Sequence, residues 1–157
     1  MQQDFPGKPV FNRGFGGSEL ADSTYFADRI VIPYAPKMVF LRAGGNDLWA
    51  GKTPEEVCAD FKEFVAKVHA KLPDTEIFFI SWSPTPSRWK QHDKELELNK
   101  LAKEFAEQTP HAQYIETYDL PLGKDGLPRK ELFGADLLHF NADGYKLLAE
   151  RVRPFLP

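Results

Sequence analysis

A chain of 157 residues with 42% hydrophobic content and a net charge of −3 has the length and composition of a single domain, residues 1–157, with its own apolar core. Mild acidity without any basic cluster argues against nucleic acid or a membrane surface as partner. No apolar run approaches the roughly 20 residues that span a bilayer, and Met1-Gln2-Gln3-Asp4 carries neither the cationic nor the apolar stretch of an export signal, so a cytoplasmic location is expected. Cys58 is the sole cysteine, which excludes an internal disulfide, and its place beside Val57 in a helical pattern makes it a small core side chain.

The elements alternate along the chain. "KPVFNRGF" is short, apolar and bounded by Pro and Gly, which predicts a strand running into a loop. "SELADSTYFADRIV" has helical spacing through Leu20, Tyr25 or Phe26, and Ile30, and Pro33 and Pro36 end it. "KMVFLRAGG" is a continuous apolar run, as expected of a strand covered on both faces. Thr53-Pro54-Glu55-Glu56 then combines an N-cap, a first-turn proline and a capping-box glutamate, and Val57, Phe61, Phe64, Val65, Val68 and Leu72 trace one helix face. "TEIFFISWS" predicts a strand, "SRWKQHDKELELNKLAKEFAEQ" a helix with Leu98, Leu101, Ala102 and Phe105 inward, and "AQYIETYDL" another strand. A polar loop leads to a closing helix, "NADGYKLLAERVRPFL". Strands alternating with helices imply an α/β fold: a parallel sheet with helices on both faces.

In such a sheet, ligands bind beyond the carboxyl ends of the strands. Three loops expected there carry unusual residues: Asn12-Arg13-Gly14-Phe15-Gly16-Gly17, Gly44-Gly45-Asn46-Asp47 and Asp136-Leu137-Leu138-His139. The first is not a dinucleotide fingerprint, because its spacing leads to Glu19 instead of a third glycine, and no Lys-Ser/Thr pair makes a P-loop. A plain turn remains open for the glycines and for "GGND". The functional alternative for Asn46 is an amide aimed into a site as a donor. Asp136 and His139 are spaced so that the carboxylate can accept the Nδ1 proton and leave Nε2 as a base. His69, His92 and His111 fall on helix faces or a connection and are expected to be solvated.

These loops, in this order, resemble the SGNH (GDSL-type) hydrolase family, over essentially the whole chain. "NRGFGGS" is similar to its second block, in which Gly17 matches the glycine whose N–H serves the oxyanion hole. "GGND" is similar to its third block, in which Asn46 is a second oxyanion donor, and "DLLHFNADGY" to its fifth, with Asp136 and His139 as acid and base. "SWSPTPSRW" resembles a segment of bacterial members. The resemblance implies a three-layer, flavodoxin-like α/β/α fold and a hydrolase of carboxylic or carbohydrate esters, with a small ester as substrate and no metal or organic cofactor. A tetrahedral intermediate needs donors for its oxyanion, and a glycine and an asparagine supply neutral ones.

One part of the pattern has no match. The family's first block, a Gly-Asp-Ser stretch after the first strand, lies upstream of the second, yet only 16 residues precede Gly17 and none is serine. None of Ser18, Ser23, Ser81, Ser83 and Ser87 matches the nucleophile's place. The expectation is therefore a truncated member whose first strand is missing and whose nucleophile is unknown. Two alternatives stay open: an inactive acyl- or sugar-binding module, and an oligomeric structural remnant. A gap in the sheet must close by direct pairing of "KPVFN" with "KMVFLRA" or by a borrowed segment, and a homodimer is the favoured outcome.

Overall fold

The computed structural model describes residues 4–157, so the stretch on which the export-signal expectation rests lies largely outside the described residues. Helices α1 (Leu20–Ile30), α2 (Gly45–Ala50), α3 (Pro54–His69), α4 (His92–Glu107) and α5 (Ala142–Val152) alternate with strands β1 (Met38–Leu41), β2 (Glu76–Ile80) and β3 (Ala112–Ile115). All strand pairs are parallel, in the order β1-β2-β3, with Val39 opposite Ile77 and Phe79 opposite Tyr114.

The alternation of side chains along β2 builds two cores. Ile77 and Phe79 face α1, α3 and α4 through Leu20, Ala27, Val57, Phe61, Phe64, Leu98 and Ala102. Phe78 and Ile80 face the other way, against Leu148, Val152 and Phe155 around α5. A strand buried on both faces reads as unbroken hydrophobicity, which is why "EIFFI" was legible. Helix α3 begins as its sequence predicts: Thr53 Oγ1 accepts from Glu56 N at 3.3 Å and Glu56 Oε2 accepts from Thr53 N at 2.7 Å. Cys58 is a buried free thiol. No helix among the described residues is long and apolar enough to cross a membrane.

The structure corrects several expectations. "KPVFNRGF" forms no strand, and Phe11 is 76% exposed. An isolated extended segment has no ladder to join, and here the backbone N–H of Gly14 bonds the Asn12 side chain instead. Direct pairing of this segment with β1 therefore does not occur. Helix α1 turns Leu20, Thr24 and Ala27 inward, while Tyr25 is 71% exposed. "GGND" is not a simple turn but the start of α2. The three remaining histidines have partners: His69 Nε2 bonds Thr75 O, His92 stacks on Trp89, and His111 Nδ1 meets Glu76 Oε1.

Candidate active site

The glycine pair ending the β1 loop is required by packing. Gly44 has φ +116°, and a Cβ on Gly45 would lie 2.8 Å from the Trp82 ring. Trp82 is fixed there by its Nε1, which donates to Ala43 O at 2.7 Å. The close approach sets Asn46 into the first turn of α2, with its amide held at both ends. Asn46 Nδ2 donates to Ser18 O at 2.9 Å, and its Oδ1 accepts from Arg88 Nη1 at 3.0 Å.

That first bond brings Asn46 against the glycine loop. Gly17 adopts φ +74°, a left-handed conformation that disfavours side-chain-bearing residues, and nothing lies within 4 Å of a Cβ added there. No hydrogen bond to its N–H occurs among the described residues. Next in chain, Leu20 N at the start of α1 donates to both carboxylate oxygens of the buried Asp47, at 3.1 and 3.0 Å. Lys52 closes this anchor with 2.9 Å contacts to Asp47, Asp60 and Glu19, and these carboxylates hold its ammonium well above the usual lysine range despite partial burial.

Asp136 and His139 sit in a tight loop before α5, closed by Gly134 N donating to His139 O at 2.8 Å. Asp136 Oδ1 accepts from the backbone N–H groups of Leu138 and His139, both at 3.0 Å, and its Oδ2 lies 2.6 Å from His139 Nδ1. The imidazole, then the two backbone N–H groups, hold this carboxyl far below the ordinary carboxylate range, so it stays ionised at any working pH. The His139 side chain is 70% exposed, and Nε2 has no partner among the described residues.

The segment after β2 joins the two halves. Ser87 N donates to Leu137 O at 3.1 Å, beside Asp136, while the adjacent Arg88 reaches Asn46. Arg42, at the end of β1, lies 4.4 Å from the Trp82 ring and 5.7 Å from that of Phe140, next to His139. The segments that carry the four residues singled out from the sequence, three loops' worth of chain with Asn46 in the first turn of α2, are therefore tied to one another by these bonds. Arg88 and Arg42 were not singled out, although "SWSPTPSRW" was. The signal for Arg88 lay in that segment's position after the central strand, and Arg42 had only its place at the end of the apolar run of β1.

The serines are less accommodating. Ser83 is fully buried and its Oγ donates to Thr117 O at 2.6 Å; Ser81 Oγ is buried against Thr117 and Glu116. Ser18 Oγ donates to Phe15 O at 3.0 Å. None of the three contacts His139. Two grooves of about 510 and 500 Å³ lie along α4 and beside Trp89 and Leu127, and neither is lined by Gly17, Asn46, Asp136 or His139.

A model of the GDSL-like Lipase/Acylhydrolase family matches residues 1–147. No curated protein matches the sequence. Among solved structures, a Streptococcus pneumonia protein named for platelet activating factor superposes with a TM-score of 0.89 at 24% identity, covering 99% of this chain and 77% of its own. A family 3 carbohydrate esterase from Clostridium thermocellum gives 0.69 at 19% identity, over 88% of this chain and 64% of its own. An acetyl-xylooligosaccharide esterase from Geobacillus Stearmophilus gives 0.75 at 19% identity, over 92% and 70%. These likenesses establish the α/β architecture.

Proposed function

This chain belongs to the GDSL-like lipase/acylhydrolase family, and from that premise we propose that its site hydrolyses esters by acyl transfer, with His139 as base, Asp136 as its orienting acid, and Gly17 N–H and Asn46 Nδ2 as oxyanion donors. The observation that carries the reading is the Asp136–His139 pair, whose 2.6 Å contact fixes the tautomer and leaves Nε2 to take a proton. As an oxygen nucleophile adds to the ester carbonyl, Nε2 accepts its proton and the Asp136 carboxylate stabilises the imidazolium. The two donors receive the developing oxyanion. Collapse expels the alcohol, which takes the proton back from His139; where the nucleophile was a hydroxyl, a water that gives its proton to Nε2 then attacks the new ester in the same way and releases the acid and the hydroxyl. No step draws on a metal or an organic cofactor.

The attacking oxygen in this reading is none of the Ser18, Ser81 and Ser83 hydroxyls, which are bonded elsewhere. It is a hydroxyl supplied from outside them or, more slowly, a water held at His139 Nε2. The two carbohydrate-directed neighbours make acetylated sugars the first substrates to try. The same serine positions favour a second reading, a module that binds an acyl or sugar ester without turning it over.

A fluorophosphonate label and p-nitrophenyl acetate separate these. Slow turnover that falls about 100-fold or more in His139→Ala, without stoichiometric labelling of any serine, is the expected result. Labelling would identify a nucleophile among these residues and overturn that part. Binding of acetylated xylo-oligosaccharide without turnover would favour the second reading.

A further inference from the structure

We propose that Arg88 is a positioning residue that orients and polarises the Asn46 amide. This rests on the reading of Asn46 as an oxyanion donor.

An asparagine amide can present either end to a substrate, and only the NH₂ end is useful to an oxyanion. Here the two ends face opposite chemistry. Oδ1 accepts from the Arg88 guanidinium at 3.0 Å, and Nδ2 donates to the Ser18 carbonyl at 2.9 Å. Turning the amide over would set NH₂ against a cation and one carbonyl oxygen against another. One Nδ2 hydrogen is committed to Ser18 O, and the second has no acceptor among the described residues.

The cation does more than select an orientation. A charge-assisted bond to Oδ1 draws electron density toward oxygen and leaves the N–H groups more acidic, hence better donors. The neutral amide thereby gains strength as a donor while keeping both protons.

Arg88 is itself held on three sides. Nη1 also donates to Gly45 O at 3.3 Å, the guanidinium carbon lies 5.0 Å from the Trp49 ring centre, and Thr85 Oγ1 accepts from Arg88 N at 3.3 Å. Nη1 shared between two acceptors, on a guanidinium that also lies over an indole, is an arrangement a lysine ammonium reproduces only in part. The neighbouring Ser87 N–H bonds Leu137 O, so the segment that carries Arg88 also braces the His139 loop. An arginine that merely satisfied Gly45 O would leave Asn46 indifferent to its loss, and this difference can be measured.

The test uses the ¹⁵N-labelled chain, with the Asn46 side-chain NH₂ resonances assigned by their loss in Asn46→Asp. In Arg88→Met both resonances should move upfield, with backbone resonances outside residues 45–49 and 85–89 unchanged. Arg88→Lys should fall between. On p-nitrophenyl acetate, Arg88→Met should lower kcat about 10- to 100-fold with KM within two-fold, and add nothing to Asn46→Ala. An unmoved Asn46 NH₂ pair, or additive kinetic effects, would overturn the proposal. Should Arg88→Met fail to fold, Trp49→Leu removes the stacking surface alone and is read by the same resonances. Absence of turnover in the unsubstituted chain would sink ester hydrolysis, and the resonances would still decide the role of Arg88.

Discussion

Glu95 shows how a single side chain on a charged helix can lie inside. It is 1% exposed, its Oε1 accepts from Gln91 Nε2 at 2.8 Å, and its Oε2 has no hydrogen-bond partner. Burial pushes its carboxyl up to about 7, against the opposing pull of Gln91, Arg42, His92 and Arg88. The folded state therefore holds a proton that the unfolded chain releases. Stability is full below the ordinary glutamate value near 4.5 and is lost as pH rises toward about 7. Glu95→Gln should abolish that slope and be more stable than the unsubstituted chain at pH 8 by about 1–3 kcal/mol, measured by urea unfolding at pH 5 and pH 8. Parallel slopes in both proteins would contradict the assignment. By helical spacing Glu95 and Asn99 share the face of Leu98 and Ala102, yet the sequence reads them as solvated charge and polarity. For Asn99 the inward pull is remote: it pairs with both the N–H and the C=O of Trp82, 17 positions away.

Among the elements, α1 and α2 depend on one another through Asp47. Its buried carboxylate caps the N-terminus of α1 at Leu20 and meets the partly buried Lys52. Asp47→Ala would strand a buried N–H and a partly buried ammonium, a loss of about 3 kcal/mol; Asp47→Asn keeps one acceptor and should cost roughly half as much. Urea midpoints of the two variants check the order, and equal midpoints would show that the charge is irrelevant. The sequence places "GGND" in a turn with Asn46 as the working residue, and its resemblance to a known block carries that reading. The part played by Asp47 was not legible, because its backbone partner lies 27 positions upstream. The capping box at Thr53 was legible for the opposite reason: all of its atoms lie within one turn.

For the whole molecule, strands buried on both faces announce themselves in the sequence and a segment that needs a partner does not. The runs at β1 and β2 were readable as strands; "KPVF" has the same composition, but no neighbouring strand pairs with it. The outer edge of β1 carries no strand among the described residues, and Phe11, Phe15, Tyr25, Tyr34 and Trp49 are exposed. A bare parallel edge is the feature on which the proposed homodimer rests. Sedimentation at low micromolar concentration should give a dimer whose dissociation accompanies unfolding. A cooperative, well-folded monomer there would remove the dimer from consideration.

The ties among the site loops use main-chain atoms at one end or both: Ser18 O and Gly45 O as acceptors, Ser87 N to Leu137 O, and Trp82 Nε1 to Ala43 O. Geometry held in this way is indifferent to the identity of several side chains that surround it. Positions 18, 87 and 137 can change character, and with it the group the rim prefers, without disturbing Asn46 or His139. Two limits follow from the backbone. Proline is barred at 87, which must donate its N–H, and position 137, at φ 53°, tolerates glycine or asparagine better than a branched residue. The frame is thus separable from the lining, and ligand preference can drift while the reactive groups stay in place.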